Sequence, residues 1–347
     1  MQSEIYYSLT AGLLTSWQDL WDRSDSGHLF NSPAWFLACR SVFNYSMLAI
    51  LAVYRNSALV AVLPLVQTRK WGIKCFIPPG NQYLDRSSLL LLERDPLITG
   101  ELLIKLKELR NVYLSETPEI HKSLFSSDPC MKIFFSSVGW ILPLQPDPYR
   151  FLNSKHKKQI RKVISADPDG FRLETSAGSF ADILPVILDI ERRSTKKSEH
   201  KEVFSQPAIA RLFNLIDQYR PGTILVNLLY YRNRPVSYQV GFASHGTYHC
   251  YQIAFLAEYA HLIPGRILLY QSLQTSMNCN FHTLDFSRGT NRYKKDFTPH
   301  SYTQFTVIYS SHLWIRAWWS LTITVFNYLQ SRPGLFNITR VLKLKFV

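Results

Sequence analysis

The feature that most restricts how this 347-residue chain folds is a strand-turn-strand pattern that occurs twice. Near residue 50 an apolar run, Met47-Leu-Ala-Ile-Leu-Ala-Val-Tyr54, is followed by Arg55-Asn-Ser57 and then by Ala58-Leu-Val-Ala-Val-Leu-Pro-Leu-Val66. Two apolar runs joined by a short polar turn mark a β-hairpin. The same grammar returns as Ile224-Leu-Val-Asn-Leu-Leu-Tyr-Tyr231, Arg232-Asn-Arg234 and Pro235-Val-Ser-Tyr-Gln-Val-Gly-Phe242, with Tyr-Arg-Asn at matching places. In a chain long enough for two cores, this repetition predicts a duplicated domain. With 46% hydrophobic and only 18% charged residues, each copy has the material for a packed interior.

The second half reads as α-α-β-β-β-α-β. Asp182 is placed to cap a helix with Pro185 in its first turn and Ile183, Val186, Ile187 and Ile190 as the buried stripe. Ser205 and Pro207 start a second helix, with Ile209, Leu212, Phe213 and Ile216 on one face until Pro221-Gly222 ends it. The hairpin, a strand at about 248–255, a helix at about 266–277 and a strand through Leu284 follow. An antiparallel start and a crossover long enough for a parallel pair make a mixed-sheet α/β (α+β) fold. The segment 301–308 is expected to add a last strand, and Pro146-Asp-Pro148 a hinge. The expected domains are therefore 1–147, 148–310 and a helical basic tail at 311–347.

Seven motifs occur in order: Phe30-Asn-Ser-Pro-Ala-Trp35, the Tyr54-Arg-Asn hairpin running into Val62-Leu-Pro-Leu-Val66, Pro79-Gly-Asn-Gln-Tyr-Leu-Asp85, the basic run Ser154-Lys-His-Lys-Lys-Gln-Ile-Arg-Lys162, Glu191-x-x-Ser194-x-Lys196, Pro264-Gly-Arg-Ile-Leu-Leu269, and Asp285-Phe-Ser-Arg-Gly-x-x-x-Tyr-Lys294. Together they resemble the GNAT-fold acyltransferases of the FemAB-like superfamily, particularly the group that includes the cellulose biosynthesis protein CelD. The resemblance implies tandem GNAT-like domains and an N-acyltransferase. Its acyl group would come from acyl-CoA, such as acetyl-CoA, and pass to an amine on a small molecule or cell-envelope precursor, with a link to envelope or polysaccharide synthesis. Two other readings stay open: an aminoacyl-tRNA donor, as in the superfamily's peptidoglycan-bridge members, and a non-catalytic scaffold in a polysaccharide-secretion complex.

The resemblance places the donor's pyrophosphate at Pro264, Gly265, Arg266 and Ile267. A Gly-containing loop that opens a helix offers free amides and the positive end of the helix dipole, and Arg266 can add a charge-assisted bond. The run His261-Leu-Ile-Pro-Gly265-Arg266 keeps one glycine and puts Arg where the usual GNAT loop has a small residue. The same residues also suit a simply packed helix start. In Thr283-Leu-Asp-Phe-Ser287, period-two alternation sends Asp285 and Ser287 to one face. Asp285 is a candidate base for the attacking amine, or ties down the Arg288-Gly289 turn. Glu191 and Ser194 share a helix face, and by resemblance Glu191, Ser194 and Lys196 line the substrate cleft, with Glu191 as second candidate base; otherwise Glu191-Arg-Arg193 is a solvated helix end. Tyr293 and Lys294 are placed at the acceptor, where Lys294 can neutralise a tetrahedral oxyanion, unless it is an ordinary surface lysine.

A formal net charge of +14 attracts anions of any kind. Lys155, Lys158 and Arg161 in the basic run are anion-binding candidates, for donor phosphates or a tRNA backbone, or form a solvated face. DNA is not expected among the partners. The ten histidines and five cysteines show no metal-ligand spacing, so neither a metal nor a disulfide framework is expected. The start Met1-Gln-Ser-Glu4 does not read as a signal peptide, which predicts a cytoplasmic location. After Asp296 no acidic residue occurs, while Arg316, Arg332, Arg340, Lys343 and Lys345 remain. The apolar segment 313–329 is too short and polar to span a membrane. It is expected to pack on the second domain, with peripheral contact at the inner membrane face through the basic tail as the alternative.

Overall fold

The computed structural model describes residues 1–176, 178–194 and 202–330. They form two compact units: residues 1–137 with those from 303 onward, and residues 138–302. The first unit holds β1 (Gln2–Tyr6), α1 (Ala11–Arg23), α2 (Pro33–Val42), β2 (Leu48–Arg55), β3 (Ala58–Lys70), β4 (Ile73–Ile77), a short β5 (Leu90–Leu91), α3 (Pro96–Glu108), β6 (Asn111–Pro118) and α4 (Lys122–Ser126). Strand β7 (Met131–Pro143) carries the chain into the second unit. There follow α5 (Ser154–Ala166), β8 (Phe171–Thr175), α6 (Phe180–Arg192), α7 (Pro207–Tyr219), β9 (Ile224–Tyr231), β10 (Arg234–Ser244), β11 (Thr247–Phe255), α8 (Pro264–Asn278), β12 (Thr283–Arg288) and α9 (Arg292–Phe297). Strand β13 (Ser301–Ser310) and helix α10 (Leu313–Gln330) complete the first unit.

The order in the first unit is β1-β2-β3-β4-β6-β13, and in the second β8-β9-β10-β11-β12-β7. Each begins with three antiparallel steps, continues with one parallel step, β4 to β6 or β11 to β12, and closes with an antiparallel strand. The duplication is thus visible in topology. The closing strands are exchanged along the chain: β7 precedes the rest of the unit it closes, and β13, expected as the last strand of the second half, pairs with β6 of the first. Pro146-Asp-Pro148 lies inside the second unit, between β7 and α5.

Both hairpins turn through two consecutive left-handed residues, Asn56 and Ser57 in one and Arg232 and Asn233 in the other. This matches the two-residue turn whose twist suits a β-hairpin. The Tyr-Arg-Asn tripeptides are one residue out of step with it, because Arg55 closes a strand whereas Arg232 enters the turn. Strand β2 is apolar and buried from Leu48 to Val53 because both its faces are covered there. Ala49, Leu51 and Val53 join Ile98, Leu102 and Leu106 of α3, while Ile50 and Ala52 join Leu13, Trp17 and Leu20 of α1.

In the second unit α6 is capped by Ser179, whose hydroxyl accepts from the Asp182 amide and donates to its carboxylate; Asp182 is not itself the cap, and Pro185 lies inside the helix. Helices α6 and α7 bury Ile183, Ile187, Ile190, Ile209, Phe213 and Ile216. Helix α10 departs from expectation. Its Ile315, Trp319 and Ile323 enter the core of the first unit beside Trp17, Trp21 and Tyr113, so its inner face belongs there and not to the second domain.

Candidate active site

The parallel pair β11 and β12 is hydrogen-bonded only over Thr247–His249 and Thr283–Asp285. Beyond these residues both strands continue, to Phe255 and Arg288, without pairing to each other. Each carries an irregularity there. Strand β11 bulges opposite Val240 and Gly241, and β12 bulges after Asp285 with Ser287 at φ +58°. A bulge leaves one residue outside the ladder and re-aims its backbone groups. The fork opens at the carboxyl ends of the strands, where open α/β sheets hold their ligands.

Helix α8 begins at that end. Its N-cap, Ile263, is left-handed at φ +48°, Pro264 takes the first helical position, and no side chain caps it. Pro264 has no amide hydrogen and the Arg266 and Ile267 amides donate to the Ile263 carbonyl, so the start presents the Gly265 amide and the positive end of the helix dipole. Gly265 lets it approach β11, since a β-carbon there would lie 3.3 Å from the Phe255 ring. Ile267 is buried under the helix. Arg266 turns sideways, its guanidinium bonded to Gln159 of α5 at 3.1 Å and 3.6 Å from Asp296 of α9.

Helix α5 thus flanks the helix start. Lys155, Lys158, Arg161 and Lys162 are exposed, and among the described residues no acidic partner meets them. A shallow depression of about 510 Å³ runs along Ser154, Lys157, Lys158, Arg161, Lys162 and Ser165. Lys155 lies outside it, and the Lys157 ammonium sits over the Tyr149 ring.

Asp285 is buried at the fork, one carboxylate oxygen accepting from the Ser287 amide at 2.7 Å and both from the Tyr302 hydroxyl at 3.1 Å. His249, its register partner on β11, brings Nδ1 within 3.4 Å of the carboxylate. The carboxylate sets its negative charge on the Nδ1 side of the ring, the other ring nitrogen, Nε2, lying across the imidazole from it. Burial, reinforced by Asp285, pushes the neighbouring Cys250 thiol far above its ordinary range, so it stays protonated and is no thiolate nucleophile.

The alternation expected for 283–287 breaks after Asp285, and Leu284, Asp285, Phe286 and Ser287 are all buried. Lys294 is buried too, not a surface lysine; its ammonium donates to the carbonyls of Ser287 at 3.1 Å and Arg288 at 2.6 Å, which holds the bulged strand end. Tyr293 sets its ring edge-on to Phe286, and burial drives its hydroxyl well above the usual tyrosine range.

Glu191 is fully buried, which rules out a solvated helix end. Its carboxylate accepts from the amides of Val203, Phe204 and Ser205 at 3.0–3.1 Å, from the Ser205 hydroxyl at 3.3 Å and from the Tyr238 hydroxyl at 2.8 Å. Five donors occupy both oxygens, so the carboxylate ties the chain at 203–205 to α6. Burial, with Glu191 beside it, drives the Tyr238 hydroxyl far above its usual range. Ser194 is buried and donates back to the Glu191 carbonyl at 2.8 Å. Lys196 lies outside the described residues.

The structure therefore brings Asp285, Tyr293 and Lys294 to one strand end and the Pro264–Ile267 helix start to the mouth of the same fork, while Glu191 and Ser194 form a separate buried lock. Sequence reasoning missed His249 and Tyr302. Neither sits in a motif; His249 meets Asp285 through parallel register and Tyr302 through the segment after α9. Among the described residues, no three His, Cys, Asp or Glu side chains converge to hold a metal ion.

Residues 153–295 match the family model for the acetyltransferase (GNAT) domain. That interval contains the fork, the helix start and the basic helix. No curated protein matches the chain. Among solved structures it is similar to one described as FemX, with TM-score 0.66 and 10% identity, covering 88% of this chain and 97% of that one. It is also similar to the C-terminal domain of a putative lysylphosphatidylglycerol synthetase from Agrobacterium fabrum, with TM-score 0.57, 10% identity and coverage of 90% and 95%. A third likeness is to a tandem GNAT protein from the clavulanic acid biosynthesis pathway, with TM-score 0.50, 13% identity and coverage of 88% and 98%. The fold is thus a mixed α/β fold of tandem GNAT-like architecture, with residues 153–295 similar to the acetyltransferase (GNAT) domain.

Proposed function

We propose that the second unit is an N-acyltransferase that takes an acyl group from an acyl-CoA, held in the fork between β11 and β12, and passes it to an amine of a small molecule or cell-envelope precursor. The observation that carries this reading is the parting of β11 and β12 beside an uncapped helix start. An extended thioester arm fits between strands with unpaired edges, and its pyrophosphate fits the Gly265 amide at the positive end of the helix dipole, the Arg266 and Ile267 amides donating to the Ile263 carbonyl. The cations of α5 add an attractive field at that mouth.

In this reading the amine nitrogen attacks the acyl carbonyl carbon, the C–N bond forms, and the C–S bond breaks to release a thiolate, which leaves as the thiol once it receives the proton removed from the amine. His249 Nε2 takes the proton from the amine, and Asp285 with Tyr302 keeps the ring in place. Lys294 preserves the bulge that aims the β12 backbone, and Glu191 anchors the segment over α6; both act on position. The exposed cations of α5 also suit an aminoacyl-tRNA donor, which makes that the second reading. A transfer assay separates the two. Labelled acetyl-CoA and a panel of amines should give labelled amide in the presence of ribonuclease. Transfer only from aminoacyl-tRNA, abolished by ribonuclease, would establish the second reading, and transfer from neither donor would remove both.

A further inference from the structure

Helix α10 is apolar on two sides. Its inner side fills the core of the first unit, but Trp314, Trp318, Leu321, Val325 and Tyr328, each 47 to 63% exposed, form a second stripe facing outward. Their spacing of four, three, four and three residues keeps them on one line along an 18-residue helix. A solvated helix face normally carries charge, and a continuous apolar stripe signals a contact surface.

Two elements that the helix touches carry exposed cations, and the acid beside Arg316, Asp128, is paired with Lys107. The Trp318 and Trp319 indoles donate to the carbonyls of Trp71 and Lys70 at the β3–β4 turn, where Arg69 and Lys74 are exposed. Asn327 donates to the Phe135 carbonyl on β7, where Phe135 and Lys132 are exposed. No acid occurs in residues 67–77, 129–137 or 297–330, and the sequence from 331 adds Arg332, Arg340, Lys343 and Lys345, again without an acid.

We infer that this face of α10 binds a bilayer surface bearing anionic headgroups, with the helix lying in the plane of the interface. Trp and Tyr are the side chains that suit the boundary between headgroup and acyl chain, and basic residues around an apolar face add attraction to acidic lipid. A second copy of the chain fits less well, because pairing two such faces sets like charges against each other. No described helix is long and apolar enough to cross a membrane, which agrees with an in-plane position. The inference does not depend on the transferase site.

The test is co-sedimentation of the full-length protein with phosphatidylcholine vesicles, with and without phosphatidylglycerol. Binding should require phosphatidylglycerol, weaken with added salt, and fall about tenfold or more in Trp314→Ser/Leu321→Ser and in Leu321→Glu. Both positions are exposed, and an unchanged melting temperature verifies the fold. Absence of binding to anionic vesicles, equal binding by the variants, or a solution dimer that these substitutions dissociate would overturn the inference.

Discussion

Replacing Glu191 with alanine should lower the stability of the protein by about 3–5 kcal/mol, the scale on which a buried charged group leaves its partners unpaired. The carboxylate is fully buried and terminates five donors, three of them backbone amides of consecutive residues. Once it is gone those amides and the Tyr238 hydroxyl face a cavity without an acceptor, and each such group costs about 1–3 kcal/mol. Glu191→Gln should also destabilise, because its NH₂ sets a donor against donors where the carboxylate offered only acceptors. The measurement is thermal unfolding, with a fall of roughly 10 °C expected for alanine. A melting temperature unchanged by either substitution would show that the lock contributes nothing.

The second large effect concerns turnover. His249→Ala should reduce kcat by about 10²–10⁴-fold, the usual contribution of a positioned general base, while leaving KM for the donor near its wild-type value. Asp285→Asn should reduce kcat as well, because the amide no longer presents a carboxylate to Nδ1, and it should do so without loss of donor affinity. Partial recovery of His249→Ala by added imidazole would mark loss of a base as distinct from loss of fold. Wild-type turnover in His249→Ala would remove that residue from the chemistry.

Much of the fold was legible because it is local. Two apolar runs around Asn56-Ser57 and Arg232-Asn233 announce hairpins by turn chemistry alone, and the stripes of α6 and α7 announce helices by period. What was not legible is non-local. Nothing in Ser301–Ser310 says that it pairs with β6, a strand almost two hundred residues earlier, because strand partners are chosen by the packed sheet. The same holds at the site. Asp285 was found through a motif, but its companion His249 depends on parallel register, and the bulge at Ser287 that buries Lys294 overrides the simple alternation of a strand. Glu191 looked solvated because two arginines follow it, yet its contacts come from a segment more than ten residues later. Helix α10 was expected to pack on the second domain because composition neither says which core an apolar stripe enters nor separates it from an exposed stripe lying beside it.

Amide hydrogen exchange of the intact protein with and without acetyl-CoA tests the donor site most directly. The ligand should slow exchange at the start of α8, residues 265–268, and along the unpaired edge of β11, residues 250–255, while the first unit stays unchanged. Protection absent from both segments, or found only in residues 1–137, would contradict placement of the donor in the fork.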